Sequence, residues 1–98
     1  MKNIRIDGPP LTLRQRLAHD PIMNTRQKNA VRHVLQHYDI SRREYEEKFS
    51  VTRAVAAREV AELVLAGWLR PSGRGSATRY VLDDQKFGTE HLHDEYHP

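Results

Sequence analysis

The sequence predicts a mainly α-helical domain that carries a small β-hairpin. Two observations lead to this fold class. Apolar residues recur at helical spacing in successive segments between residues 13 and 64, each segment preceded by a capping residue. After the last segment come a glycine stop and two short β-prone stretches joined by a glycine-containing loop. With 98 residues, the chain has the length of one domain with a small core.

The N-terminal arm, residues 1–23, is predicted to contain one short helix. Residues 2–6 alternate in polarity as an edge strand does, and residues 7–10 read Asp-Gly-Pro-Pro, which predicts a turn. Thr12 then precedes Leu13 and Leu17, which are four residues apart and lie on one helix face. Asp20 and Pro21 end this helix, because proline disfavours helical geometry at the residue before it.

A longer helix is predicted next, starting at Asn24 or Thr25 as its N-cap. Its apolar residues recur at intervals of one, three and four, which indicates a single buried stripe. The members of this stripe are Ala30, Val31, Val34, Leu35 and Tyr38.

A short helix follows and is marked by two start signals. Ser41 and Glu44 have the spacing of a capping box, and Ile40 and Tyr45 occupy the hydrophobic-staple positions. We expect this helix to run to about Phe49.

The next helix is predicted to begin after Thr52, its N-cap, and to stop at Gly67. A short helix, a turn of about three residues and a longer helix are typical of a helix-turn-helix. The inward face of the longer helix is predicted to consist of Ala56, Val60, Leu63 and Val64.

Two strands, residues 68–70 and 78–82, are predicted to form a hairpin across residues 71–77. Gly73 and Gly75 permit positive φ angles in the loop and hold Arg74 outward between them. Trp68 and Tyr80 are predicted to belong to the core rather than to stack on bases. Residues 83–98 are acidic and rich in histidine, have no periodicity and are expected to form a tail.

Charge is distributed unevenly along the chain. Residues 1–82 carry fifteen lysines and arginines against eight acidic residues, a net charge of +7. Residues 83–98 carry one lysine against five carboxylates, a net charge of −4. A basic body indicates a polyanionic partner, although a solvated surface of mixed charge is the alternative.

Composition also sets expectations about location. No apolar run is long enough to span a membrane, and the first residues lack the apolar region of a signal peptide. The absence of cysteine excludes disulfide and thiolate chemistry within these 98 residues and fits a reducing compartment. We therefore expect a cytoplasmic protein that does not bind membranes.

Short motifs follow one another in a fixed order from the second predicted helix to the hairpin. The motifs are Arg26-Gln27, Ile40-Ser41, Glu44-Tyr45, Phe49, Val51-Thr52-Arg53, Ala56, Arg58-Glu59-Val60, Leu63, Gly67, Leu69, Gly73, Gly75, Thr78-Arg79-Tyr80 and Leu82. In this order they resemble the winged helix-turn-helix domains of bacterial regulators, over residues 24–82. The similarity is strongest to the small winged domains appended to Fic-type AMP-transferases and to helicase-like regulators, although the chain is too short to hold their catalytic domains.

The resemblance implies a recognition helix in the DNA major groove and a basic wing on the phosphates beside it. On the recognition helix, Glu59 and Glu62 are further candidates for outward positions. Val55 stands where the family commonly has a polar residue, and it or Ala54 is suited to contact a thymine methyl group. The predicted DNA-binding residues are Arg42, Arg43, Thr52, Arg53, Val55, Arg58, Arg74 and Arg79.

Each of these residues also has a structural interpretation. The arginines are alternatively solvated surface charges, with Arg58 paired to Glu62 one helical turn away. His33 and His37 have a spacing that can chelate a metal, but surface histidines explain them without one. We expect no metal, no cofactor and no enzymatic activity, because no catalytic constellation is apparent.

The predicted function is therefore double-stranded DNA binding by a transcriptional regulator that acts by occupying its site. A homodimer is expected, because one such module reads too few base pairs for selectivity in a genome. Residues 3–18 are assigned to the dimer surface because the winged unit does not need them. The alternative is a protein-interaction module of the same fold, favoured by the apolar residues Ala54, Val55 and Ala57.

Overall fold

The computed structural model describes residues 12–83, which form four α-helices and a three-stranded antiparallel sheet. The predicted edge strand in residues 2–6 and all but the first residue of the predicted tail lie outside the described residues. In chain order the elements are α1 (Leu13–Ala18), α2 (Thr25–His37), β1 (Asp39–Ile40), α3 (Arg42–Phe49), α4 (Arg53–Leu65), β2 (Leu69–Ser72), a 3-10 turn (Gly75–Ala77) and β3 (Arg79–Leu82).

All four helices begin where the sequence predicts. At each start, the side-chain oxygen of the N-cap residue accepts a hydrogen bond from the backbone N–H three residues later. In the first three helices the side chain of that later residue also accepts from the cap's own backbone N–H, which completes a capping box. The N-caps are Thr12, Asn24, Ser41 and Thr52.

Besides the β2–β3 turn, three turns between these helices and strands contain a residue with a positive φ angle. Gly67 stops α4 with φ 84°, as predicted, and Ser50 ends α3 with φ 53°. Tyr38, at φ 78°, is the residue after α2. The prediction that Tyr38 continues the buried stripe is wrong, because this backbone angle leaves the helical path and the side chain is 75% exposed.

The sheet has the order β1-β3-β2, with both pairs antiparallel. The hairpin was predicted, but its strands are Leu69–Ser72 and Arg79–Leu82 rather than residues 68–70 and 78–82. Pro71 is accommodated within β2 because that strand lies at the edge of the sheet. Strand β1 was not predicted, since two residues are too short to show an alternating pattern; Ile40 pairs with Tyr80.

One hydrophobic core is shared by the four helices and the sheet. Leu13 and Leu17 of α1 are fully buried in it, so these two side chains are not available to a second copy. Trp68 is buried, as predicted, and Tyr80 and Val64 are half-buried against the core. The buried apolar residues are Leu13, Leu17, Met23, Ala30, Val31, Val34, Leu35, Ile40, Tyr45, Ala56, Val60, Leu63, Trp68, Leu69 and Leu82.

A buried carboxylate, that of Glu59 on α4, joins three helices. It accepts hydrogen bonds from Asn24 Nδ2 at 2.9 Å, Arg26 Nε at 3.0 Å and the Tyr45 hydroxyl at 2.6 Å. The prediction that Glu59 faces outward is therefore wrong, and its exposed fraction is 1%. The residue lies three positions after Ala56, on the side of α4 that packs against α2 and α3.

A glutamine beside this carboxylate extends the connection between α2 and α4. Gln27 Nε2 donates to the Glu59 carbonyl oxygen at 3.2 Å and to Glu62 Oε1 at 2.8 Å. Its own Oε1 accepts from the backbone N–H of Asn24. The start of α2 is thus hydrogen-bonded along one full turn of α4.

The environment of Glu59 stabilises its charged form. Hydrogen bonding from the Arg26 guanidinium, assisted by the Tyr45 hydroxyl and Asn24, lowers the pKa of Glu59 from 4.5 to about 2. Burial and the adjacent carboxylate raise the pKa of Tyr45, so its hydroxyl remains a donor at all ordinary pH values. The network is therefore an ion pair in which the Glu59 carboxylate is buried and hydrogen-bonded, whereas the Arg26 side chain is partly exposed.

Replacing this carboxylate should destabilise the fold. In Glu59→Gln the side chain keeps its size, but Arg26 loses its counter-ion. One carboxylate oxygen, an acceptor, is replaced by an NH₂ group, a donor that then faces the donor groups of the network. We expect the free energy of unfolding at pH 7 to fall by about 3 kcal/mol in urea titrations. Glu47→Gln is the matched control, because Glu47 is 73% exposed and 3.9 Å from Arg43, and it should change stability by less than about 0.5 kcal/mol. Equal stabilities of the two variants would contradict a structural role for Glu59.

The same network predicts a loss of stability in acid. Because the pKa of Glu59 is lower in the folded chain than its ordinary 4.5, its contribution is complete above pH 5 and is lost as the pH falls towards 2. The stability difference between the unmodified chain and Glu59→Gln should therefore shrink from about 3 kcal/mol at pH 7 to about 1 kcal/mol at pH 2.5. Urea titrations of both chains across this range measure the difference, and a difference independent of pH would refute the assignment.

Candidate nucleic-acid interface

The exposed face of α4 is built from small side chains with an arginine on either side. Ala54, Ala57 and Ala61 are exposed on this face, which lies opposite the buried residues of the helix. Arg53 and Arg58 are the exposed cations beside them. Because the alanine side chain is short, a binding partner on this face can come close to the backbone of α4.

An open groove of about 980 Å³ runs between α4, the start of α3 and the β2–β3 hairpin. Four arginines from three elements line it, and no carboxylate from residues 12–83 does. Most of the other lining side chains are apolar. We call this cavity the α4 groove; its lining residues are Ser41, Arg42, Arg43, Arg53, Ala57, Val60, Ala61, Val64, Leu65, Pro71, Gly75, Ala77, Thr78, Arg79 and Tyr80.

Two of the groove arginines, at the start of α3, are paired along their own helix. Arg42 Nε donates to Glu46 Oε2 at 2.9 Å, whereas Arg43 Nε is 3.9 Å from Glu47 Oε2. Arg43 is largely exposed, and both pairs join residues four apart. Such surface pairs contribute little to stability, so both arginines can change partner at small cost.

Arg79 is held much more firmly than the sequence indicates. Its Nε lies 2.8 Å from Asp39 Oδ2, and its Nη2 donates to Glu44 Oε1 at 2.6 Å. These bonds tie β3 to β1 and to the start of α3. No pattern in the sequence indicates these bonds, because the partners lie 40 and 35 residues away along the chain. Arg79 lines the groove, but two carboxylates already compensate its charge.

The pairing predicted for Arg58 is wrong. Its Nη2 is 3.6 Å from Glu59 Oε2, whereas Glu62 accepts from Gln27 on α2. Arg58 nevertheless remains mostly exposed. Arg53 and Arg74, by contrast, have no ion-pair partner within residues 12–83.

The hairpin tip presents Arg74 to solvent. Gly73 and Gly75 have φ angles of 94° and 57°, which confirms the predicted positive values. A Cβ atom at Gly73 would come within 2.9 Å of the Ala77 carbonyl oxygen, so the tight turn excludes a side chain there. Arg74 lies between the glycines in an extended conformation and is exposed.

The structure brings together only part of the predicted site. Arg42, Arg43, Arg53 and Arg79 share the α4 groove, whereas Thr52, Val55, Arg58 and Arg74 do not line it. The Thr52 hydroxyl caps α4 by accepting from the Val55 backbone N–H, and Val55 itself is half-buried. Sequence reasoning missed Ala61 and Leu65 as lining residues. Their spacing of eight and twelve from Arg53, along one helical stripe, is the signal that could have identified them.

A second, smaller depression lies between α2 and the end of α3, away from the residues of the α4 groove. His33 and His37 have ring centroids 4.6 Å apart there, and burial, followed by the neighbouring His37, lowers the pKa of His33. Within residues 12–83, no three histidine or acidic side chains form a group that could hold a metal. In the same part of the chain, no helix has both the length and the apolarity needed to cross a membrane.

No protein-family model, curated protein or solved structure matches this chain. The family resemblance therefore rests on the motifs themselves and on the elements that carry them.

Proposed function

We propose that this chain is a winged helix-turn-helix protein that binds double-stranded DNA, with α4 in the major groove and the β2–β3 hairpin as the wing. The observation that carries the proposal is the α4 groove, where arginines from α3, α4 and β3 converge and none of the acidic residues that the structure describes lines the surface. Duplex DNA presents about one negative charge per 1.7 Å of its axis, and arginine is a common partner for phosphate.

The exposed face of α4 suits insertion into a major groove. An α-helix with its side chains is about 10–12 Å wide and the major groove of DNA is about 12 Å wide, so small side chains on the leading face favour close approach. Ala54, Ala57 and Ala61 provide that face. Arg53 and Arg58 extend from its sides and can reach guanine edges, whereas the alanines can contact thymine methyl groups.

The other cations are suited to the phosphate backbone. Arg74 is exposed at the hairpin tip between two glycines, where the backbone can also approach phosphate closely. Arg42 and Arg43 can exchange their carboxylate partners for phosphate at little cost. Arg79, which Asp39 and Glu44 hold, acts in this proposal mainly by positioning the hairpin.

The proposed biological role is regulation of transcription by occupying a DNA site in the cytoplasm, as a homodimer. One module of this size contacts few base pairs, and two copies on adjacent half-sites would supply the missing selectivity. Because Leu13 and Leu17 are buried within their own chain, the contact between copies must use other residues.

A protein-interaction module is the second candidate, and one observation favours it. Leu65 at the end of α4 is 87% exposed and continues the apolar lining formed by Ala61 and Val64. An apolar side chain this exposed would contribute to burial against a protein surface.

Two single substitutions test the DNA-binding surface. Arg74→Ala should weaken binding to all duplexes alike and reduce the slope of log K against log salt by about 0.9, because one phosphate contact is lost. Arg53→Ala should also change sequence preference, at a cost of about 1–3 kcal/mol on the preferred site. Fluorescence anisotropy at several salt concentrations, on duplexes selected from a random pool, measures both effects.

Arg32→Ala serves as the matched control. Arg32 lies in the depression between α2 and α3 and does not line the α4 groove, and within residues 12–83 its side chain hydrogen-bonds only to Asn29 of its own helix. Its removal should leave duplex affinity and sequence preference nearly unchanged. The proposed surface is wrong if Arg53→Ala and Arg74→Ala bind duplexes no more weakly than Arg32→Ala.

A charge added at Leu65 separates the two candidate functions. Leu65→Lys should fold normally, because the side chain is exposed on a helix. Under the DNA-binding proposal the added cation strengthens duplex binding at low salt. Under the protein-interaction alternative it weakens docking of the apolar partner. Weaker duplex binding by this variant would count against the proposed orientation of α4.

A further inference from the structure

The α4 groove combines a cationic surface with an apolar surface. A small anion would contact the cationic part and leave the apolar part uncovered. Its arginines favour an anionic partner, and its alanines, valines, Leu65 and Tyr80 favour apolar contact. Arg53 lacks an ion pair within residues 12–83, and Leu65 is a large hydrophobic residue of α4 that is 87% exposed. A ligand that matches the groove must therefore carry both negative charge and apolar side chains.

The C-terminal residues 84–98 have that composition. They contain four carboxylates and one lysine, with Phe87, Leu92 and Tyr96 distributed among them. The part of the chain before them carries the excess of positive charge. Opposite charge and matching apolar content thus occur in one polypeptide.

The segment also starts in a suitable place. The backbone N–H of Asp83 donates to the carbonyl oxygen of Trp68 at 2.9 Å, which anchors residue 83 beside the end of α4. An extended segment of fifteen residues can span about 50 Å, whereas a helix of thirteen residues is about 20 Å long. Residues 84–98 are therefore long enough to follow the whole groove from its Leu65 end to Arg53.

We propose that residues 84–98 bind in the α4 groove of their own chain, with carboxylates towards the arginines and apolar side chains towards the apolar lining. The binding itself does not depend on DNA. Its consequence, competition with duplex for the same surface, rests on the proposed function. Since the segment is tethered, its effective concentration is on the order of millimolar, so weak individual contacts suffice.

A nitroxide label in the full-length chain tests this binding without DNA. The chain contains no cysteine, so Thr89→Cys creates a single labelling site. Paramagnetic relaxation at low salt should broaden the backbone amide signals of Ala57, Ala61 and Leu65, and leave those of His33 and Gln36 sharp. In 1 M salt the broadening should decrease, because the screening length falls to about 3 Å.

A charge-neutral segment provides the matched control. In the labelled chain, Asp84→Asn, Glu90→Gln, Asp94→Asn and Glu95→Gln together remove the carboxylates and keep the apolar side chains. The broadening at Ala57, Ala61 and Leu65 should largely disappear. Broadening that is uniform, or that is confined to the α2–α3 depression, would overturn the proposal.

A mixing experiment separates binding within one chain from binding between two copies. Isotope-labelled unmodified chain is mixed with nitroxide-labelled chain that carries no isotope label. Sharp groove signals in the mixture support binding within the chain. Broadened groove signals in the mixture place the segment in a second copy and overturn the proposal as stated.

Duplex binding by the four-fold segment variant then tests competition separately. With millimolar effective concentration and an intrinsic dissociation constant of about 0.1 mM, release of the segment should strengthen duplex binding about tenfold. If the amide signals of the groove residues are broadened but duplex affinity is unchanged, only the proposed competition is overturned. If the chain binds duplex but the amide signals of the groove residues are not broadened, the segment proposal is overturned and the proposed function still stands.

Discussion

The arrangement of the three central helices depends on the buried carboxylate of Glu59. Three donors from α2 and α3 converge on it, and each would be left without an acceptor if α4 rotated or shifted along its axis. Apolar packing alone tolerates such shifts more readily, because it has little directional preference. The apolar residues of α4 and this ion network thus bury the same face of the helix, and the opposite face is exposed.

That orientation decides the chemistry of the α4 groove. With Glu59 turned inward, the stripe that starts at Arg53 and passes through Ala57 and Ala61 faces the hairpin. The Arg79 ion cluster sets the opposite wall, because it ties β3 to the start of α3. Two ion networks made from the chain's own acidic residues therefore shape a groove that has no carboxylate in its lining between residues 12 and 83.

The arginines of this protein fall into two groups: some form ion pairs that hold the fold together, and others have no ion-pair partner within residues 12–83. Arg26 and Arg79 are used inside the fold, whereas Arg53 and Arg74 lack ion-pair partners within residues 12–83. The count of fifteen lysines and arginines over residues 1–82 therefore overstates the cationic groups that are ready for a partner. Both proposals use Arg53 and the other arginines of the α4 groove, so under them duplex and the acidic segment compete for one surface.

The sequence by itself determined the helix starts and the glycine turns, because capping and positive φ angles depend on residues no more than three or four apart. It also indicated the hairpin, although not the limits of its strands. Only the tertiary structure decided the short strand at Asp39, the burial of Glu59 and the partners of Arg79. Each of these joins residues far apart in the chain, and an isolated charged residue in a sequence does not reveal whether an opposite charge is folded against it.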